Sequence, residues 1–541
     1  MPGPAADPSH GDPAARTPRR NAHGGTVPSK GDALAPWPRL DRQTWAAVAV
    51  TLLISVAVTI SRIPPGICIG DPGDLQLASA TLGIMHPPGY TGYVTLGYLF
   101  TRIPGADPAY VVTLACLGAG LIAILLALLW QVRLGVNPWI ASAVCLALLA
   151  HPEVWSNLLA PEVYAPSIAF LAASGYMLVR YTRLGVRRDL FLACAFYGLV
   201  LANRPPVSFA FFFFVLAWWA GGRRWDSTWR RSAANLSIAA AIIVAPTVYA
   251  FAFIWLRDRT DVAYNYIQQD NAFGKQLPES SEGAEAKMKR VWWHMAALQF
   301  REYMGDTWHG IRAKLRWLWR QLLPGELFVT FAAMMAVVVA GAVVVFWRCP
   351  PSGFLLCGFA LAAAVFVSIY RVHGQAADVV PIVFAGYVLF GVAVSTGLDA
   401  AARLFARRPP NRLHPIARWA GVTGTILLAV WTFFDADHRR HTGRGYDALP
   451  FLAELDIDTL PPNTAIFSIW PQSPPLWYAQ LRRTDRTDVE VVNATTDRWL
   501  EAMRERRDRF LLTVTNPAEL DPRLLSQYRG VWRVDLSQEN P

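Results

Sequence analysis

Apolar stretches long enough for helices recur along this chain, separated by short loops that hold most of its charge. They run over Trp45–Ile60, Tyr110–Gln131, Pro138–Ala150, Ala160–Arg180, Leu190–Leu201, Val207–Gly221, Ala233–Leu256, Leu327–Trp347, Ser352–Tyr370, Val379–Leu398 and Ile416–Phe434. Runs of this kind predict helices surrounded by lipid. The run from Leu190 to Gly221 is too long for one helix, and Asn203-Arg204-Pro205-Pro206 interrupts it, which predicts a hairpin. Its flanks, Arg180–Arg188 and Arg223–Arg231, are basic and belong to the cytoplasmic side, so the hairpin tip faces outward. From that anchor, His151–Tyr164, Arg257–Gly325, Arg371–Asp378 and everything after Asp435 lie outside. Arg133, Arg348–Pro351, Arg403–Arg418 and the basic N-terminal tail lie inside. This alternation closes only if Leu75–Arg102 rests along, or dips into, the outer interface without crossing. The outcome is a polytopic α-helical membrane protein with about eleven spans, its N-terminus cytoplasmic and its C-terminus extracytoplasmic.

Composition agrees with that pattern. Of 541 residues, 53% are hydrophobic and only 16% charged, with 22 tryptophans; a soluble chain of this length carries more charge. The net charge of +11 reflects membrane orientation, and no aromatic-interleaved basic patch of a nucleic-acid binder accompanies it. The six cysteines lie in or beside apolar spans, apart from Cys68 in the first loop, and form neither a disulfide framework nor a metal spacing. Residues 1–42, rich in Pro, Ala, Gly and Arg, read as a disordered cytoplasmic tail. Residues 43–434 form the membrane domain.

After Asp435 the pattern changes. Ala465–Trp470, Asp488–Asn493, Phe510–Thr515 and Gly530–Asp535 read as strands, with helical stretches near Pro474–Arg483, Thr496–Arg507 and Pro522–Tyr528. The alternation predicts a small α/β domain over residues 435–541, outside the membrane and without a glycine-rich phosphate loop.

Unusual polar residues gather in the outward loops. The densest stretch, Gly70–Tyr98, holds Asp71 and Asp74 three residues apart, then a short helix over Leu75–Met85 and a turn over His86–Tyr90. The spacing can point both carboxylates to one side; equally, the aspartates can be helix caps in a solvated loop. Glu162 and Tyr164 open a span, where Glu162 also suits the helix dipole. Asn203 and Arg204 form the hairpin tip, and the guanidinium fork of Arg204 suits a phosphate or a plain interfacial position. Further along come His294 with Trp292 and Trp293 (a ligand or an aromatic belt), then Arg301 and Arg371.

The run GDPGDLQLASATLGIMHPPGYTGYVTLGYLFTRIP resembles the signature of the transmembrane protein O-mannosyltransferase family, within the C-type membrane glycosyltransferases. PEVYA at Pro161–Ala165, VWWHMAALQFREYM at Val291–Met304, the Asp378-containing element at Ala377–Pro381, and PPNTAIFSIWPQSPPLWYAQ with DVEVVNATT resemble further landmarks of that family. The chain departs from the pattern in four places. Asp74 stands for the usual glutamate, and Thr91-Gly92 for Pro-Leu. IWPQS replaces an acidic run in the tail, and Asn203-Arg204 stands where many members have a histidine near asparagine.

The resemblance implies an inverting glycosyltransferase that moves a sugar, mannose in the named family, from a polyprenyl-phosphate donor to a hydroxyl of a protein or envelope glycan outside the membrane. It implies Asp71 or Asp74 as the base, and Arg204, Arg301 and Arg371 as holders of phosphate. His86, Tyr90, Glu162, Tyr164, Asn203 and His294 become candidate substrate contacts. No cofactor is fixed by the sequence; a divalent cation, Mg or Mn, is a candidate. A transporter or flippase of lipid-linked precursors is the rival reading; it predicts charges within spans and internal repeats, and neither is evident.

Overall fold

The computed structural model describes residues 40–221, 229–259, 261–267, 283–303, 305, 310–313, 328–370, 376–405, 443–482, 486–493, 499–515 and 522–538, with isolated positions between 419 and 430. The predicted span Ile416–Phe434 therefore lies mostly outside the described residues. The other ten predicted segments coincide with helices. These are α1 (Arg42–Thr59), α4 (Pro108–Arg133), α5 (Pro138–Ala150), α7 (Tyr164–Leu184), α8 (Arg187–Asn203), α9 (Phe211–Gly221), α10 (Trp229–Arg257), and later Phe328–Arg348, Pro350–Ile369 and Val380–Phe405. Among the described residues, five helices are long and apolar enough to cross a membrane. The bent pair of α5 and α6 (Pro152–Leu159), with 72° between its halves, makes a sixth if counted as one span. The rest are helical but short, like α9, or end in arginines, like α7 with Arg180 and Arg183.

Between α1 and α4 lie two short helices, α2 (Gly70–Thr81) and α3 (Thr91–Phe100). At 1.5 Å per residue they are about 18 Å and 15 Å long, so neither reaches across a hydrocarbon core of about 30 Å. The predicted helix Leu75–Met85 is displaced toward the N-terminus. Gly70, at φ +68°, starts the helix early, and Asp71 joins its first turn, where a carboxylate favours the dipole. Leu82, in the left-handed region at φ 51°, ends it. The chain then leaves the helix to pair Ile84 with Asn265.

The C-terminal unit is a five-stranded sheet of order β2-β1-β3-β5-β4, with β1 Thr464–Ser468, β2 Glu490–Asn493, β3 Phe510–Thr513, β4 Leu525–Tyr528 and β5 Val531–Val534. The first three strands are parallel and β5 runs antiparallel to β3. Pro522–Tyr528, expected as a helix, is mostly strand β4. Arg529 and Gly530 both take positive φ, the geometry of a two-residue hairpin turn, so Tyr528 pairs with Val531 and the strand folds back.

This unit is packed onto the start of α2. Ile69 donates its N–H to the Tyr446 carbonyl at 2.8 Å, Ala448 to Ile67 at 3.0 Å and Gly70 to Pro471 at 2.7 Å. The helix Ser473–Arg482 lies against α2, and the approach is so close that a Cβ on Gly73 would stand 2.0 Å from the Cys68 carbonyl oxygen and 3.3 Å from Pro474. One apolar core therefore joins Leu75 and Leu77 of α2 with Ile466, Leu476 and Leu512 of the α/β unit.

Candidate functional site

The first turn of α2 aims both aspartates at one side, as their spacing allowed, but gives them different surroundings. Asp74 is fully buried and its oxygens are taken up. The backbone N–H of His86 donates to Oδ2 at 3.0 Å, and the His86 Nδ1 lies 2.5 Å from the same oxygen. The Tyr264 hydroxyl donates to Oδ1 at 2.5 Å. Asp71 is half-buried. Its Oδ1 accepts the indole N–H of Trp470 at 2.7 Å, and its Oδ2 has no hydrogen-bond partner among the described residues. Asp74 is held against a histidine, whereas Asp71 keeps one carboxylate oxygen free of hydrogen bonds among the described residues.

His86 is the hub of the cluster. Its ring meets Tyr90, Trp470 and Tyr266 edge-on, with centroids 5.4, 5.8 and 6.5 Å away. Burial alone would lower the pKa of this imidazole; the charges of Asp71 and Asp74, with the Asp74 hydrogen bond, outweigh it and raise it to about 9. The ring is thus an imidazolium at neutral pH. Glu162, in the loop before α7, is pushed up to about 8 by burial first and then by the Asp71 charge, so it is largely protonated. His294 is fully buried behind the Gly89 turn, where burial and then the charge of His86 lower it to about 3 and keep it neutral.

Arg204 caps α8 at the hairpin tip. It forms an ion pair with Asp378 and lies over the Tyr164 ring at 4.5 Å. Burial raises the Asp378 carboxyl, and the arginine charge partly offsets that. The pair heads a narrow, mostly apolar cleft with Leu171, Val207, Phe359 and Ala362 among its walls. This arrangement suits an anion joined to an apolar chain.

Asp71, His86, Tyr90, Glu162, Tyr164 and Arg204 are thereby linked by contact or charge. Asn203 plays a different part. Its Oδ1 accepts the N–H of Gly92 at 3.0 Å and its amide donates to Leu199, tying α8 to the start of α3. Arg301 is exposed on the turn Leu298–Tyr303 and makes none of these contacts. Arg371 lies outside the described residues. Among those residues, no group of three or more His, Cys, Asp or Glu side chains is placed to hold a metal ion.

Sequence reasoning missed three members of the cluster. Tyr264 and Tyr266 sit two apart in an extended segment paired with Ile84, so both rings point the same way; the YNY spacing carried that signal. Trp470 lies in the IWPQS run, read as a departure from a family pattern and not as a site element.

The helices carry carboxylates, histidine and arginine at one end, where the α/β unit packs against them, and this architecture has a counterpart among solved membrane proteins. ArnT from Cupriavidus metallidurans, solved bound to undecaprenyl phosphate, has the same fold: the likeness has a TM-score of 0.52, covers 91% of this chain and 98% of that one, and runs at 14% sequence identity. An oligosaccharyltransferase from Archaeoglobus fulgidus scores 0.46 at 13% identity, over 83% of this chain and 64% of the other. More specifically, residues 71–228 match the family model for the N-terminal domain of protein O-mannosyl-transferase TMEM260. That stretch contains Asp71, His86, Glu162 and Arg204. Protein O-mannosyl-transferase tmem260 of Dictyostelium discoideum is 26% identical over 151 residues, which is 27% of this chain and 18% of that protein. The resemblance first read in the GDPGD–HPPGY signature holds.

Proposed function

We propose that this protein transfers a sugar, with mannose the sugar its matched relative is named for, from a polyprenyl-phosphate carrier to a hydroxyl group of a protein or envelope glycan at the outer face of the membrane. The observation that carries the reading is the difference between the two aspartates. Among the described residues, Asp71 keeps one oxygen without a hydrogen-bond partner beside a cationic His86, while Asp74 is buried and saturated. In the proposed step, Asp71 accepts the proton of the acceptor hydroxyl as its oxygen bonds to the anomeric carbon, and the bond from that carbon to the phosphate oxygen breaks. Negative charge grows on the leaving phosphate, where the His86 imidazolium and Arg204 stabilise it. The apolar walls beside Arg204 offer a surface along which the first part of the lipid can lie, with Tyr164 and Asp378 fixing the guanidinium. The acidic and basic groups lie outside the long helices, as a donor anchored in the bilayer requires.

About eleven spans, a cytoplasmic N-terminus and an extracytoplasmic C-terminal unit complete the proposal. It is tested in membranes supplied with radiolabelled polyprenyl-phosphate mannose. Wild type is expected to label a protein fraction, and Asp71→Asn to do so about a hundred- to ten-thousand-fold more slowly. Equal labelling by Asp71→Asn, or label that crosses the bilayer while still on its carrier, refutes the reading.

A further inference from the structure

The loop Ile469–Gln472 joins β1 to the helix that packs on α2. In the parallel part of the sheet, β1 lies between β2 and β3, so the chain leaves β1 to one side and later returns on the other. Such reversals open a crevice outside the carboxyl end of the central strand, where α/β folds place ligands. Here that crevice is turned onto the membrane unit, and Trp470 projects from it. The Pro471 carbonyl accepts the N–H of Gly70, which fixes the loop one residue before Asp71. The indole N–H holds Asp71 Oδ1, and the ring's edge-on contacts reach His86 and, at 5.4 Å, Tyr266. Gln472 keeps a buried Oε1 without a hydrogen-bond partner among the described residues.

We infer that Trp470 is a positioning residue for transfer, contributed by the C-terminal unit: its indole N–H fixes one oxygen of Asp71 and so directs the other at the acceptor hydroxyl. The inference rests on the proposed transfer reaction. A carboxylate at the start of a helix rotates freely about its last bond unless one oxygen is held. A neutral donor aimed at that oxygen fixes the rotation and adds no competing cation. The unit that follows the last span is therefore part of the active site.

The test is Trp470→Phe in the full-length protein, reconstituted in vesicles with radiolabelled polyprenyl-phosphate mannose and an envelope protein fraction as acceptor. Phenylalanine keeps a ring between His86 and Tyr266 and removes the donor. The rate at saturating donor is expected to fall about ten- to a hundredfold, the worth of one hydrogen bond to a charged group, while the donor KM is unchanged. The same substitution made on Asp71→Asn should cost nothing further, because the tryptophan acts through the carboxylate. An unchanged rate in Trp470→Phe overturns the inference. So does an equal fractional loss in both backgrounds, which is also what a folding defect gives. Transfer absent from wild type itself counts against the proposed reaction instead.

Discussion

At the scale of single residues, the site is a set of groups whose environments push their protonation apart. His86 and Glu162 both have raised values, about 9 and about 8, so both carry their proton at neutral pH. Raising the pH first ionises Glu162, placing another full negative charge beside Asp71 and the leaving phosphate. It then removes the positive charge from His86. Transfer should decline on the alkaline side between about pH 8 and 9. In Glu162→Gln the side chain stays neutral, and the decline should be delayed to the His86 step. Initial rates at saturating donor across the alkaline range decide this; a profile flat through pH 9 removes both Glu162 and His86 from the mechanism, and one that declines identically in Glu162→Gln removes Glu162. The residue scale is also where sequence reading stopped short. Asp71 and Asp74 have the same side chain three positions apart. Their partners distinguish them: His86 and Tyr264 on Asp74, Trp470 on Asp71, the last two remote in sequence.

At the scale of elements, α2 was legible in kind and misplaced in extent. Glycine and proline at positions 70, 72 and 73 look like a loop, because their cost to a helix is local and visible. What makes them helical is tertiary: the Pro471 carbonyl receives the Gly70 N–H, and Gly73 admits the Cys68 carbonyl and Pro474. This sets the outcome of Gly73→Ala. Alanine is favoured over glycine in a helix by about 1 kcal/mol. Here, however, the added carbon would lie 2.0 Å from a backbone oxygen, and overpacking costs about 1–3 kcal/mol or more. The clash wins because the neighbour is backbone and cannot rotate away. Gly73→Ala should melt at a lower temperature in detergent and lose activity, since Asp71 moves with the turn. A variant as stable as wild type means the junction with the C-terminal unit is looser than its contacts indicate. In contrast, the apolar helices were readable almost to the residue, as at Pro138–Ala150, because lipid-facing helices need little beyond their own composition.

At the scale of the whole molecule, loops far apart in sequence converge on one end of the bundle. The ends of α1, α8 and α10 and the starts of α4, α7 and Val380–Phe405 all supply or flank the cluster, together with the C-terminal sheet. If that end is the outer one, as the basic flanks require, a protease-sensitive tag after Pro541 should be cut in right-side-out spheroplasts while the N-terminal tail is protected. Cleavage of the N-terminal tail with a protected C-terminus inverts the topology and puts the site in the cytoplasm. The arginine counts give an expected side for the site. The closing of the sheet over it was not legible, since no local pattern announces that a strand near residue 465 will end beside a loop near residue 70.

That long closure also sets a timetable. Asp71 and its partner Trp470 are 399 residues apart in the chain. A ribosome adds about 5–20 residues per second, so the carboxylate waits on the order of 20–80 seconds, with most of the spans already inserted, before its partner is made. During that interval the nascent protein can meet lipid carriers without a finished site. A chain cut short anywhere before the sheet lacks both the partner of Asp71 and the half of the apolar core that the sheet gives to α2.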